Sequence, residues 1–78
     1  MQKELLLCIV QALVNNPNNI NINEVASERL TILELKVEKE DIGRIIGKQG
    51  NVIKSIRTLL NASAAKNNKK IALEIIED

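Results

Sequence analysis

The stretch "RIIGKQGNVIKSI", Arg44–Ile56, sets Gly47 and Gly50 three positions apart with Lys48 and Gln49 between them. Isoleucines bracket the pair at helical spacing on both sides. Downstream, Val52, Ile53, Ile56, Leu59, Leu60 and Ser63 continue as one stripe, with Lys54 and Arg57 on the outer side. The spacing predicts a brief helix over Glu40–Ile46, a glycine-bounded corner at Gly47–Gly50 and a longer helix over Asn51–Lys66. Glu40 and Asp41 stand where a helix start favours negative charge.

Outward from this corner the remaining elements follow. Leu6, Ile9, Val10 and Leu13 recur at helical period, which predicts a helix over Lys3–Val14 that stops at Asn15-Asn16-Pro17. Ile20–Ser27 alternates imperfectly, so a strand with a bulge or irregular start is expected there. "TILELKV", Thr31–Val37, alternates cleanly, with Leu33, Leu35 and Val37 on one face. The short join between the two predicts an antiparallel hairpin. Ile71, Leu73 and Ile75 make a last strand, which the two-helix crossover allows to lie parallel to "TILELKV". The order is helix, strand, strand, helix, helix, strand. It predicts an α+β domain over residues 1–78, with helices on one face of a three-stranded mixed sheet.

Composition narrows the function. The 78 residues include no His, Phe, Tyr or Trp and a single cysteine, Cys8. The commonest general base and the usual aromatic platforms for bases are therefore missing. One cysteine excludes an internal disulfide and a zinc cluster, and Cys8 reads as a small buried apolar residue of the first helix. No convergent carboxylate pair is legible, so an enzyme is not expected, nor are a metal or cofactor. "LLLCIV" is too short and wrongly flanked for a signal peptide or a membrane span, which points to the cytoplasm.

Net charge is only +1, yet its distribution is uneven. Ile42–Leu73 holds no acidic residue but carries Arg44, Lys48, Lys54, Arg57, Lys66, Lys69 and Lys70. A basic run in an otherwise balanced chain is the footprint of a polyanion partner.

The glycine pair does not fit a nucleotide motif. Between Gly43 and Gly47-Lys48 lie three residues, not the four of a Walker loop, and Gln49 offers no hydroxyl for magnesium. A dinucleotide fingerprint needs a further glycine where Ile45 stands. What remains is a corner at which the missing Cβ atoms let an extended ligand approach the main chain. Helix N-terminal amides near Asn51 favour phosphate, and Lys48 and Gln49 add charge and hydrogen bonds. Ile45, Ile46 and Ile53 supply an aliphatic wall for bases, while Arg44, Lys54 and Arg57 add charge.

"IIGKQGNVI", Ile45–Ile53, resembles the KH signature, whose G-x-x-G loop clamps backbone nucleotides. The element order resembles the type II KH arrangement. Leu33–Ala62 is similar to the small bacterial single-domain KH proteins of the KhpA family. That resemblance implies single-stranded RNA binding at Gly47, Lys48, Gln49 and Gly50, beside a groove at Ile45, Ile46 and Ile53. It also implies an RNA-chaperone or post-transcriptional role linked to cell-wall homeostasis and cell shape. The implied assembly is a homodimer or a heterodimer with a larger KH-domain protein. No residue obviously reads a 2′-hydroxyl, so single-stranded DNA is a second ligand to test. A protein-interaction module, for which RNA is incidental, is the competing reading. Asn15–Asn23 reads only as a solvated loop and strand entry.

Overall fold

The computed structural model describes residues 1–77. α1 (Gln2–Leu13) leads into β1 (Asn21–Ala26) and β2 (Leu30–Lys36). A 3-10 turn at Lys39–Asp41 opens α2 (Ile42–Ile46), and a second at Lys48–Gly50 joins α2 to α3 (Asn51–Ala65). β3 (Lys70–Ile75) ends the order, which is the one the sequence predicts.

The sheet runs β1-β2-β3. β1 pairs antiparallel with β2 through six unbroken positions, from Asn21 opposite Lys36 to Ala26 opposite Thr31, so the expected bulge is absent. The poor alternation of β1 has another cause. It is a border strand whose side chains are mostly exposed, with only Ile22 half-buried. β2 and β3 are parallel, with Leu33 beside Leu73. Thr31, Leu33 and Leu35 of β2 and Ile71 and Leu73 of β3 all turn toward the helices. Helices cover that face, and the sheet's other face is open.

Leu6 and Val10 from α1, Ile45 from α2, and Ile53, Ile56, Leu60 and Ala64 from α3 complete the core. Two sequence readings are corrected here. Leu59 is 54% exposed, while Ala64, left out of the expected stripe, is buried. The buried face of α3 is rotated from the predicted one, because Ile53, Ile56, Leu60 and Ala64 hold the i, i+3/i+4 spacing that meets the sheet. Cys8 is exposed, not buried. It lies two residues from both Leu6 and Val10, which puts it on the far side of α1.

The asparagine-rich connection has a definite anchor. Asp41 is buried, and its carboxylate accepts from the Asn15 amide at 3.0 Å, the Asn16 amide at 3.1 Å and Asn16 Nδ2 at 3.0 Å. Asp41 thus ties the end of α1 to the start of α2 instead of capping a helix through its side chain. Asn19 Nδ2 donates to Glu38 at 2.8 Å and Asn23 Nδ2 to Glu34 at 2.7 Å, so this segment is stitched to the acids of the next one.

The Asn15 amide, then the Asn16 side chain and amide, and last Arg44 lower the Asp41 pKa, against the opposing effect of burial. A carboxylate depressed in the folded state stabilises above its unfolded pKa, about 4, and loses that contribution as pH falls through the folded value. Stability is therefore expected to decline on acidification below about pH 4. Asp41→Asn is expected to melt lower at pH 7 and to show a flatter acid limb. Parallel melts of both proteins from pH 7 to pH 2.5 check this, and identical acid limbs would remove Asp41 as the cause.

Candidate nucleic-acid interface

Two short turns of chain, α2 and the Lys48–Gly50 turn, present the glycine pair at one end of the molecule. Gly47 has φ 75° and ψ 177°, a region that essentially only glycine occupies. A Cβ there would overlap Val52 Cγ2 and lie 2.6 Å from Val52 Cβ and 2.9 Å from the Val52 amide nitrogen. Gly47 is thus required by the fold. Gly50 differs: its φ of 76° is left-handed, but a Cβ there would meet nothing within 4 Å. The space above Gly50 is open to an approaching ligand. Gln49 also adopts a left-handed conformation, at φ 58°.

The glycine amides themselves are not the free donors. Gly47 N–H donates to Gly43 O at 2.9 Å and Gly50 N–H to Gly47 O at 3.1 Å, while Asn51 N–H closes on Lys48 O. Among the described residues, the amides of Lys48 and Gln49 have no backbone acceptor. These two amides, carried on exposed residues between the glycines, are the ones the turn leaves without a backbone partner. The glycines shape the turn that presents them.

The other sequence-predicted residues divide into three groups. Ile45 is fully buried and Ile53 nearly so; they form the floor on which the loop rests. Ile46 is 36% exposed and, with half-buried Val52 and Ile42, supplies the accessible apolar surface. Asn51, Lys54 and Lys48 are exposed around the loop. Arg44 is exposed on α2, with Nε 3.9 Å from Asp41 Oδ1, an ion pair at the outer limit of distance. Arg57 lies further along α3, and its Nη2 donates to Leu73 O at 3.1 Å.

Sequence reasoning missed Asn61, one helical turn beyond Arg57. Its side-chain amide accepts from Ile71 N–H at 2.9 Å and donates to Ile71 O at 3.1 Å, as a neighbouring strand residue would. Arg57 and Asn61 therefore clasp the outer border of β3. The signal was the i, i+4 spacing of two polar residues beside a strand with one unpaired side.

No helix of the described residues is long and apolar enough to cross a membrane. No group of His, Cys, Asp or Glu among them could hold a metal ion.

Known proteins resemble this chain over nearly its whole length. The model of the KhpA/KhpB KH domain matches residues 3–75. The RNA-binding protein KhpA of Clostridium perfringens is 51% identical over 74 residues, spanning 95% of this chain and 99% of that protein. Its counterpart in Chlamydia caviae is 50% identical, covering 97% of each chain. The Listeria monocytogenes protein of the same name is 49% identical over 96% of this chain and 99% of its own. With the α-β-β-α-α-β order and the glycine corner in place, these matches settle the family: the chain belongs to the KhpA/KhpB KH-domain proteins.

Proposed function

We propose that this chain binds single-stranded RNA by clamping the sugar–phosphate backbone at Gly47–Gly50, with bases laid against the aliphatic surface of Ile46 and Val52. The observation that carries this reading is the pair of unengaged amides at Lys48 and Gln49, held open between two glycines beside a helix N-terminus. The acid-free run around them supplies the field that a polyanion follows. By family resemblance the cellular role is that of a cytoplasmic RNA chaperone or post-transcriptional regulator, tied to cell-wall homeostasis and cell shape.

The test replaces both loop side chains. Lys48→Asp with Gln49→Asp removes one positive charge and adds two negative ones at an exposed turn. The fold is expected to persist, and affinity for a 12-nucleotide oligoribonucleotide at low salt is expected to fall by about tenfold or more. Fluorescence anisotropy across a salt series reads this, and an unchanged low-salt affinity sinks the clamp.

A second reading, pairing with another KH domain, is favoured by one observation. Leu59 stands half-exposed in the middle of α3, flanked one turn away by Ser55, Ala62 and Ser63, on a face turned from both the core and Arg57. Small residues around one exposed leucine suit close approach of a second helix. Leu59→Asp is expected to leave the single chain folded and to lower the solution mass toward that of one chain. If wild type and variant have the same mass by light scattering across the micromolar range, this face pairs with nothing of its own kind.

A further inference from the structure

The helices cover one face of the sheet, and the strand register fixes what the bare face shows. Thr31, Leu33 and Leu35 are buried against the helices, so Leu30, Ile32, Glu34 and Lys36 of β2 point the other way. Val25 of β1 lies beside Ile32, and so does Ala72 of β3, which makes one apolar row across all three strands. Leu30 extends that row along β2. Val25 is 51% exposed and Leu30 41%.

The next row carries charge. Asn23, Glu34 and Glu74 stand side by side at one level of the sheet. Glu34 accepts from Asn23 Nδ2 at 2.7 Å, and among the described residues neither carboxylate makes an ion pair. Like charges on neighbouring strands at one level repel. A cation from outside the chain relieves that repulsion. Two lysines share the face, but Lys36 is already engaged, and Lys70 stands beside Leu30, two rows from the glutamates.

The size of the face selects its occupant. The strands pair over six positions. At about 4.8 Å between strands and about 3.3 Å per residue, this surface measures about 14 by 20 Å. That is roughly 300 Å², far below the roughly 800 Å² per partner buried when two folded proteins pair in a standard interface. A single helix, about 10 Å across, spans it.

We propose that the bare face of the sheet docks one amphipathic helix of a partner protein, with its apolar stripe on Val25, Leu30, Ile32 and Ala72 and its bordering lysines or arginines on Glu34 and Glu74. Such a helix reads a surface through apolar anchors at i, i+3/i+4 spacing, and its charges set the register. The surface lies across the sheet from α2 and α3, so the proposal goes beyond RNA binding and does not depend on it.

The probes are two synthetic helical peptides of about 15 residues, roughly 22 Å long, with the same leucine stripe. One has lysine on its polar side and the other glutamate. Fluorescence anisotropy reads affinity, and amide shifts of the labelled protein locate the contact. Wild type is expected to bind the lysine peptide at least about tenfold more tightly than the glutamate peptide, with shifts centred on Val25, Ile32, Glu34, Ala72 and Glu74. Val25→Thr with Ile32→Thr keeps the β-branched shape and is expected to lose about tenfold of that affinity. Glu34→Lys with Glu74→Lys is expected to reverse the preference in favour of the glutamate peptide. No binding of the lysine peptide would overturn the proposal, as would shifts centred on Leu59 of α3 or an unchanged preference in the charge-reversed variant. The threonine variant is expected to bind oligoribonucleotide as wild type does. A loss there would make this face part of the RNA surface and overturn its assignment to a protein partner. Circular dichroism melts confirm that each variant is folded.

Discussion

Gly47→Ala is expected to remove a large part of the folding free energy, while Gly50→Ala three residues later leaves the domain folded. At Gly47 two penalties coincide. The backbone at φ 75°, ψ 177° costs a non-glycine residue about 1–3 kcal/mol. The new Cβ would also drive into Val52, whose Cβ and amide nitrogen belong to the first turn of α3 and cannot swing aside. Overpacking of this kind costs about 1–3 kcal/mol more. The sum, about 2–6 kcal/mol, compares with a total stability of about 4–12 kcal/mol for a chain of this length. At Gly50 only the left-handed backbone is penalised, at about 1–2 kcal/mol, because the added methyl meets open space. That methyl would stand where a ligand must come close, so Gly50→Ala is expected to weaken RNA binding in a folded protein. Urea titrations of both variants, followed by anisotropy on whichever is folded, check the contrast. Equal stability of the two would mean that the corner is far more pliable than its geometry indicates.

The second large effect belongs to Leu60→Ala. Leu60 is fully buried where α3 packs on the sheet and against α1. Truncating a core leucine costs about 2–5 kcal/mol, a transfer loss plus the cavity left behind. In a domain of 60–100 residues each kcal/mol moves the midpoint by about 4–8 °C, so a drop of roughly 8–40 °C is expected. Leu59→Ala, the adjacent position, is expected to shift it far less, because that side chain is already about half in water. A thermal melt of the two variants side by side reads the register of α3 directly. Comparable drops would put Leu59 back in the core and rotate the helix to the stripe that the sequence suggested.

That misplaced stripe shows what the sequence could and could not say. β2 was legible because one of its faces is buried and the other is not, so Leu33, Leu35 and Val37 alternate with Glu34 and Lys36. The helices around the glycines were legible because the missing Cβ atoms break an otherwise continuous isoleucine pattern. The register of α3 was not. Leu59 is more apolar than Ala64, and apolarity alone selects the leucine, whereas the helix turns the methyl group of Ala64 into the core. Cys8 was drawn inward by its apolar neighbours, although two residues from Leu6 is the wrong side of a helix. The role of Asn15 and Asn16 could not be read at all, because their acceptor, Asp41, lies 25 residues or more away in the chain. At the corner, the glycines were visible, but not that their own amides are spent closing the turn. Which donors remain free depends on the fold of the turn, and composition carries no trace of it.

The clasp of Asn61 and Arg57 on β3 bears on colloidal behaviour. A three-stranded sheet has two flanks, and a bare flank templates cross-β growth once chains are crowded. Here the β3 flank is partly engaged by side chains of the chain's own helix, at Ile71 N–H and C=O and at the Leu73 carbonyl. The opposite flank, β1, carries Glu24, and a charge on a border strand discourages edge-to-edge pairing. Both borders of the sheet thus carry a feature that opposes the addition of a further strand from a second chain.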